Sequence, residues 1–584
     1  MISNFIPNFD NKEGINITKF KKNGFKNTTK FHKKNKVQSS YKKIEKYNVY
    51  DEYNNDDIMI PLKNQEEHLE KIINTYDEWA YYFDHSIPGS GKSCIALLIA
   101  RRLGLDVLLI APPGTFNQWE KEADYANVRI IDKVSYHSLA SSNCNEINHP
   151  YLTKSYNGKN VNYEYTSYFD SLLNDGILVV FDESSMTKND TNRSMACATL
   201  MKRISCQHEK LQDDFKSRFL QLSGTPVSNI NQIIIMLRNL GLISSTDSRK
   251  LVCMRNKKII LTGMNLLKQK CDKIDSYQTE YIISKLDGDL GKNNVYKVII
   301  SLYICILKPI ISGGLPGPDL SGINLDIKNK FYKIPDYNLE TLNDDISQII
   351  DGMDNALWIK NELNHKRGSA VKIRIRCNQE KVDIVVNKII KSLNKNPSSK
   401  FIVLSEFVDV LKMINDRLLE SYIDGINPRL VSGDTNKDIR NKIYRLFNKN
   451  SSECNVLLAS KVVFHGINLQ DTHGDRARTI LFLPSSNMED TYQGIHRAHR
   501  VGSMSDCKVR MVYIYGVEFE LKVIAALSRQ SRANKLMLNN DVINNTIYPD
   551  EFECVTENNY PYDINFEIDN SDQFETYDVY NNFL

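Results

Sequence analysis

The chain has 584 residues, 41% hydrophobic and 25% charged, with a formal net charge of +4. At about 150 residues per domain there is room for three or four domains, so length does not exclude a full enzyme core, and the composition excludes a collagen-like or wholly disordered chain. Eleven scattered cysteines without a C-x-x-C pair argue against a zinc ribbon or a dithiol redox motif and fit a reducing, cytoplasmic setting.

Residues 1–60 are polar and aperiodic, with twelve lysines between Lys12 and Lys46 against Glu13 and Glu45, and are expected to form a basic disordered tail. From Pro61 the pattern becomes globular. "HSIPGSGKSC" (85–94) almost completes the phosphate-loop pattern G-x-x-x-x-G-K-[ST]: Gly91, Lys92 and Ser93 fit its end, and Ser86 stands where the first glycine belongs. "KSCIALLIARRLG" (92–104) predicts a buried helix ended by Gly104. "DVLLIAP" (106–112), "GILVVFDE" (176–183) and "RFLQLSG" (218–224) predict strands buried on both faces, as in a parallel sheet.

After Asn229 the pattern blurs. "VIISLYICIL" (298–307) is closed at ten residues by Lys297 and Lys308-Pro309, short of the roughly 20 needed to span a bilayer, so it predicts a buried helix and no membrane partner. A Gly/Pro-rich turn (312–322) and a basic stretch (365–376) follow. A second strand series then begins at 400–407, 428–435, 455–460, 478–484 and 508–516. Between Asp550 and Leu584 lie ten acids with no lysine or arginine. The expected organisation is a basic tail (1–60), an α/β lobe (61–240), a mostly helical inter-lobe insertion (241–394), a second α/β lobe (395–535) and an acidic tail (536–584).

In an open α/β sheet, ligands collect at the carboxyl ends of the strands, where "ILVVFDE" places Asp182 and Glu183. Mg²⁺ takes one or two carboxylates together with substrate phosphates. Asp182 suits the metal, and Glu183 suits an attacking water. Backbone N–H groups around Gly89, Ser90 and Gly91 would approach phosphates, Lys92 would reach the β/γ-phosphates, and the Ser93 hydroxyl would ligate Mg²⁺ at the positive end of a helix. Each half alone also fits a flexible turn or two acids after a strand; together, about ninety positions apart, they point to ATP with Mg²⁺.

Nine stretches in order carry a resemblance: "PLKNQ" (61–65), "GSGKS" (89–93), "LLIAPPGTFNQWEKE" (108–122), "FDESSMTKN" (181–189), "LSGTPVSN" (222–229), "FIVLSEF" (401–407), "RLVSGDTNKDIRNKIYRLFN" (429–448), "HGINLQ" (465–470) and "QGIHRAHRVGS" (493–503). The chain resembles the superfamily 2 helicases over about 61–240 and 395–520. More narrowly it resembles the Swi/Snf-type ATPases and the related poxviral nucleoside triphosphatases, and its Asn/Lys/Tyr-rich composition also resembles the helicase-like proteins of yeast cytoplasmic linear (killer) plasmids.

The resemblance implies two RecA-like lobes with ATP between them. It implies that Gln65 reads the adenine edge, that Ser223, Gly224 and Thr225 couple ATP state to the nucleic-acid groove, and that Gln493, Arg497 and Arg500 complete the site from the second lobe. An arginine supplied to the γ-phosphate is worth about 10³–10⁵ in rate. Thr115, Trp119, Thr435, His465, Gly466 and Asn468 are the implied nucleic-acid contacts, with Trp119 better suited to the core. Ser185 departs from the histidine usual in the acidic box. The implied function is an ATP-dependent nucleic-acid helicase or translocase, on DNA rather than RNA. It would serve replication or transcription of an A/T-rich extrachromosomal or viral genome, with RNA polymerase or replication proteins as partners. The alternatives are an ATPase transcription factor acting on a polymerase, and an ATP-regulated scaffold without motor activity.

Overall fold

A computed structural model describes residues 59–537 except 141–148, 158–159, 230, 244–256, 287–297, 316–321, 355–361, 464–466, 486 and 501, together with 576–578. The expected basic tail up to residue 58 and nearly all of the expected acidic tail lie outside the described residues.

The apolar runs of the sequence become the strands of two parallel sheets. In chain order the first lobe holds β1 (Tyr81–Asp84), β2 (Asp106–Ile110), β3 (Ile130–Val134), a hairpin of β4 (Leu152–Asn157) and β5 (Asn160–Tyr165), β6 (Ile177–Asp182), β7 (Arg218–Leu222) and β8 (Ser312–Gly313). Its sheet runs β3-β2-β6-β7-β1-β8, every neighbour parallel. The second lobe holds β9 (Leu325–Tyr332), β10 (Lys400–Leu404), β11 (Pro428–Val431), β12 (Val456–Ala459), β13 (Arg478–Phe482) and β14 (Cys507–Ile514). These are ordered β11-β12-β10-β13-β14-β9, and β15 (Thr576–Asp578) adds an antiparallel edge on β9. That edge strand lies within the expected acidic tail.

Side chains alternate between the faces of each strand. Leu108 and Ile110 join one apolar cluster of the first lobe while Val107 and Leu109 join the other. In β10, Ile402 and Leu404 split from Phe401 and Val403 in the same way. Each fully buried Val, Leu, Ile or Phe is worth about 1.5–3 kcal/mol over exposure, so both faces of both sheets must be covered by helices. Among them, Lys92–Leu103 buries Ile95 through Ala100 and ends at Gly104, whose positive φ of 63° closes the helix.

The stretch expected as an insertion, 241–394, is mostly helical but is shared between the lobes. The apolar run is helical through Ile311, with a π-turn at Tyr303–Leu307, and packs into the first lobe's core; β8 then extends that lobe's sheet. β9 belongs to the second sheet, and the helices Asp336–Asp354, Glu362–Glu380 and Val382–Lys395 cover its outer face. The reason is physical: β1 and β14 would otherwise be bare sheet edges, and the connecting chain pairs with both.

The last described helix, Glu518–Met537, bridges the lobes. Leu521, Ile524 and Leu527 lie in the second lobe's core, while Ala533 and Met537 lie in the first lobe's core. Twenty residues of helix reach about 30 Å, enough for both. Among the described residues no helix is long and apolar enough to cross a membrane.

Candidate active site

Three loops meet at the carboxyl end of the first sheet. β1 delivers the chain into the glycine loop, β6 ends in Asp182 and Glu183, and β7 leads to Ser223. Gly89 and Gly91 have φ of +89° and +90°, which L side chains rarely adopt. Space forbids a side chain as well: a Cβ on Gly91 would come within 2.6 Å of the Gln65 amide nitrogen, and one on Gly89 within 2.7 Å of Arg500 Cβ. Gln65 is buried, its Nε2 donating to Ser90 O at 2.9 Å and its Oε1 accepting Leu62 N–H at 2.9 Å. Lys92 Nζ donates to Ser86 O at 2.8 Å, and the Ser86 hydroxyl accepts the Leu315 N–H at 2.8 Å. Burial lowers the Lys92 pKa, against the carboxylates of Glu183, Asp84 and Asp182, which raise it.

Asp182 and Glu183 stand opposite this lysine in charge. Asp182 Oδ2 accepts the indole N–H of Trp119 at 2.9 Å, and the Tyr136 hydroxyl donates to Asp182 O at 2.8 Å. Burial and the charge of Glu183 push the Asp182 carboxyl up to about 6, opposed by the Trp119 bond and Lys92. Burial also raises Glu183, with Lys92 and Arg497 pulling it back. Glu183 sits at φ +53°, a strained position for a non-glycine residue.

The second lobe closes the site. On the helix Met488–Ile495, Gln493 Nε2 donates to Glu183 Oε2 at 3.0 Å. Arg497 follows just after that helix; burial pushes its pKa down to about 10, as does Arg500, while Glu183 and Asp182 raise it. Arg500 packs against Gly89 and donates to Asn468 Oδ1, its charge offset by Glu122 as well. The two arginines therefore face different parts of the first lobe: Arg497 the acidic pair, Arg500 the glycine loop.

The segment from Ser223 to Thr225, expected to couple ATP state to the nucleic-acid groove, touches the glycine loop directly. Ser223 N–H donates to Asp84 O at 3.0 Å, Ser223 Oγ accepts Thr225 N–H at 3.2 Å, and a Cβ on Gly224 would meet Pro88 at 2.6 Å. Thr225 is buried. Val227 N–H, in the same loop, donates to Asn534 Oδ1 on the bridging helix at 3.2 Å.

The implied nucleic-acid contacts divide. Trp119 is corrected: it is 2% exposed, packs in the first lobe's core and spends its N–H on Asp182, so it cannot lie in an open groove. Thr115 is also buried, its hydroxyl donating to Pro112 O at 2.9 Å within its own turn. Thr435 is half-buried and accepts Ser432 N–H, Asn468 is exposed, and His465 and Gly466 lie outside the described residues. Tyr136, Glu489 and Asn534 carry site contacts that sequence reasoning missed. Tyr136 had no signal at all, whereas Glu489 lies four residues before Gln493 and so on its face of the helix.

The donors fit Mg²⁺. Ser93, next in sequence to the glycine loop and Lys92, and Asp182 at the end of β6 supply hard oxygen donors. Among the described residues no group of three or more His, Cys, Asp and Glu gathers to hold a softer metal.

Residues 380–502, which hold Gln493, Arg497 and Arg500, match the helicase conserved C-terminal domain family. The second lobe thus carries a stretch similar to the helicase C-terminal domain. The ATP-dependent RNA helicase L364 of Acanthamoeba polyphaga mimivirus is 20% identical over 479 residues, covering 80% of this chain and 81% of that protein. The Sulfolobus solfataricus SWI2/SNF2 ATPase core in complex with dsDNA aligns at 14% identity with a TM-score of 0.30, covering 83% of this chain and 95% of that one. The helicase-type site permits two expectations. Gly89→Ala should fold yet lose ATP hydrolysis by about 10²-fold, the cost of misplacing a closing lobe by about 1 Å; turnover near wild type in a steady-state assay would contradict the closed cleft. At sub-saturating Mg²⁺, hydrolysis should also rise as pH climbs through about 6 if Asp182 takes the metal, because its raised pKa keeps it protonated below that value. A pH–rate profile flat through that value would remove Asp182 from the metal.

Proposed function

We propose that the chain is a DNA-dependent ATPase motor whose lobes close on ATP and open after hydrolysis, stepping along a nucleic-acid strand. The observation that carries this is the Gln493–Glu183 bond, a second-lobe side chain on the first lobe's acidic box. In this reading Gly89, Ser90, Gly91 and Lys92 hold the phosphates, Gln65 faces the adenine, and Ser93 and Asp182 hold Mg²⁺. Bound there, Mg²⁺ would neutralise charge on the phosphate oxygens. Glu183 orients and deprotonates the attacking water, Gln493 fixes that carboxylate, and Arg497 and Arg500 bring positive charge as the cleft closes. Ser223 to Thr225 relay closure, since their loop touches both Pro88 and the bridging helix.

The Swi/Snf-like motifs favour DNA, and the name of the mimivirus relative favours RNA. In this reading half-buried Thr435 and exposed Asn468 would meet phosphates, which position a strand without reading its sequence. The heavy use of Asn, Ile, Lys and Tyr, which A/T-rich codons encode, and the plasmid-type resemblance support a role in replication or transcription of an extrachromosomal or viral genome. The unpaired cysteines among the described residues support a cytoplasmic setting. The test is the ATPase rate of the full chain without nucleic acid and with single-stranded DNA, duplex DNA or RNA in parallel. Stimulation by DNA is expected. Stimulation by RNA alone would reassign the substrate, and a rate indifferent to all three would leave an ATP-regulated scaffold.

A further inference from the structure

We propose that Glu489 is a positioning residue that latches the closed cleft, taking Ser185 and Lys188 of the first lobe and so seating Gln493 on Glu183. The inference rests on the ATPase reading of that site. Glu489 stands in the first turn of the helix Met488–Ile495, its N–H held by the side chain of Asn487 at 3.1 Å. One carboxylate oxygen accepts the Ser185 hydroxyl, and the other accepts Lys188 Nζ at 2.5 Å. Lys188 also donates to Ser228 Oγ at 2.8 Å, and Gln232 joins Ser228 N–H at 2.6 Å to Asn189 at 2.9 Å. One carboxylate therefore ties the loop after the acidic box, the loop after β7 and a second-lobe helix into one network.

The side chains of Lys188 and Glu489 are only 12% and 17% exposed. A charged pair removed from water and bonded on both sides differs from an exposed ion pair, because losing one partner strands the other charge. Glu489 and Gln493 are four residues apart and share a helix face. The helix is thus fixed at two points, one on Ser185 and Lys188 and one on Glu183. Releasing the first lets the helix pivot about the second, and Gln493 loses its angle on the carboxylate. Ser185 is what makes the latch fit: its short hydroxyl lets the Glu489 carboxylate reach the loop.

The test uses the full chain with Glu489→Ala, Lys188→Ala and the double variant. Each single change should lower kcat at saturating ATP about tenfold, as expected of lost orientation, with KM for ATP little changed. The double variant should be no worse than Glu489→Ala, because that change alone already removes the Lys188 contact together with the Ser185 one. Hydrogen exchange at 185–190 and 487–495 should quicken in all three, while β2 stays protected. An unchanged kcat in Glu489→Ala, or losses that multiply in the double variant, would overturn the latch. Should Glu489→Ala fail to fold, Glu489→Gln keeps the shape without the charge and carries the same expectation. A wild-type chain that hydrolyses no ATP, yet shows the exchange difference, would sink the ATPase reading and spare the latch.

Discussion

Lys92→Ala should leave a folded chain in which ATP hydrolysis has fallen by at least about 10²–10³-fold, the cost of removing one preorganised donor from developing charge. The lysine donates to a backbone carbonyl of its own loop, and its burial is balanced by three carboxylates rather than by apolar packing. Removing it takes nothing from either core, so the melting temperature should move little. Near-normal turnover in a folded variant would mean that 89–93 is a turn and not a phosphate loop.

Glu183→Gln separates binding from chemistry. The amide keeps the shape of the side chain and leaves Asp182 with its Trp119 bond, so nucleotide and Mg²⁺ should still bind. Hydrolysis should fall by about 10²–10⁴-fold, the range for a lost general base. Equilibrium binding of ATP beside single-turnover hydrolysis checks both halves. If nucleotide binding disappears with the charge, Asp182 and Glu183 have exchanged roles.

The strands that are long, continuous and apolar were legible in the sequence, and so were the glycine and acidic loops that the first sheet brings together, because glycines, lysine and acids carry their chemistry in their residue types. β9 was not, since "LDIKNKFY" alternates apolar and polar residues and reads weakly beside runs such as "ILVVFD". Its alternation places Ile327 and Phe331 in the core face, a period that was visible but short. β8, at two residues, had no pattern to find. Trp119 shows the other limit. Its neighbours placed it on a nucleic-acid loop, and only packing shows that its ring is inside and its N–H on Asp182. Ser185 read as a lost histidine; its partner lies 304 residues away, beyond any local signal.

The bridging helix has a consequence for how the chain is made. Synthesis proceeds from the amino terminus, and domains generally fold in that order. Here the first lobe's core is completed by Ile299 to Ile311 and then by Ala533 and Met537. A nascent chain that has just emitted residue 240 therefore carries an unfinished lobe, with β1 still an open edge and apolar sites awaiting residues nearly 300 positions downstream. The expected behaviour is late, concerted maturation of both lobes. A ribosome-arrested series should show protease resistance of the first lobe appearing only once Met537 has emerged, and resistance at residue 240 would show that the lobe matures alone. For the same reason an excised 61–240 fragment should be sticky and poorly soluble whatever its ATP site can do, and a useful minimal protein must run from Met59 through Met537.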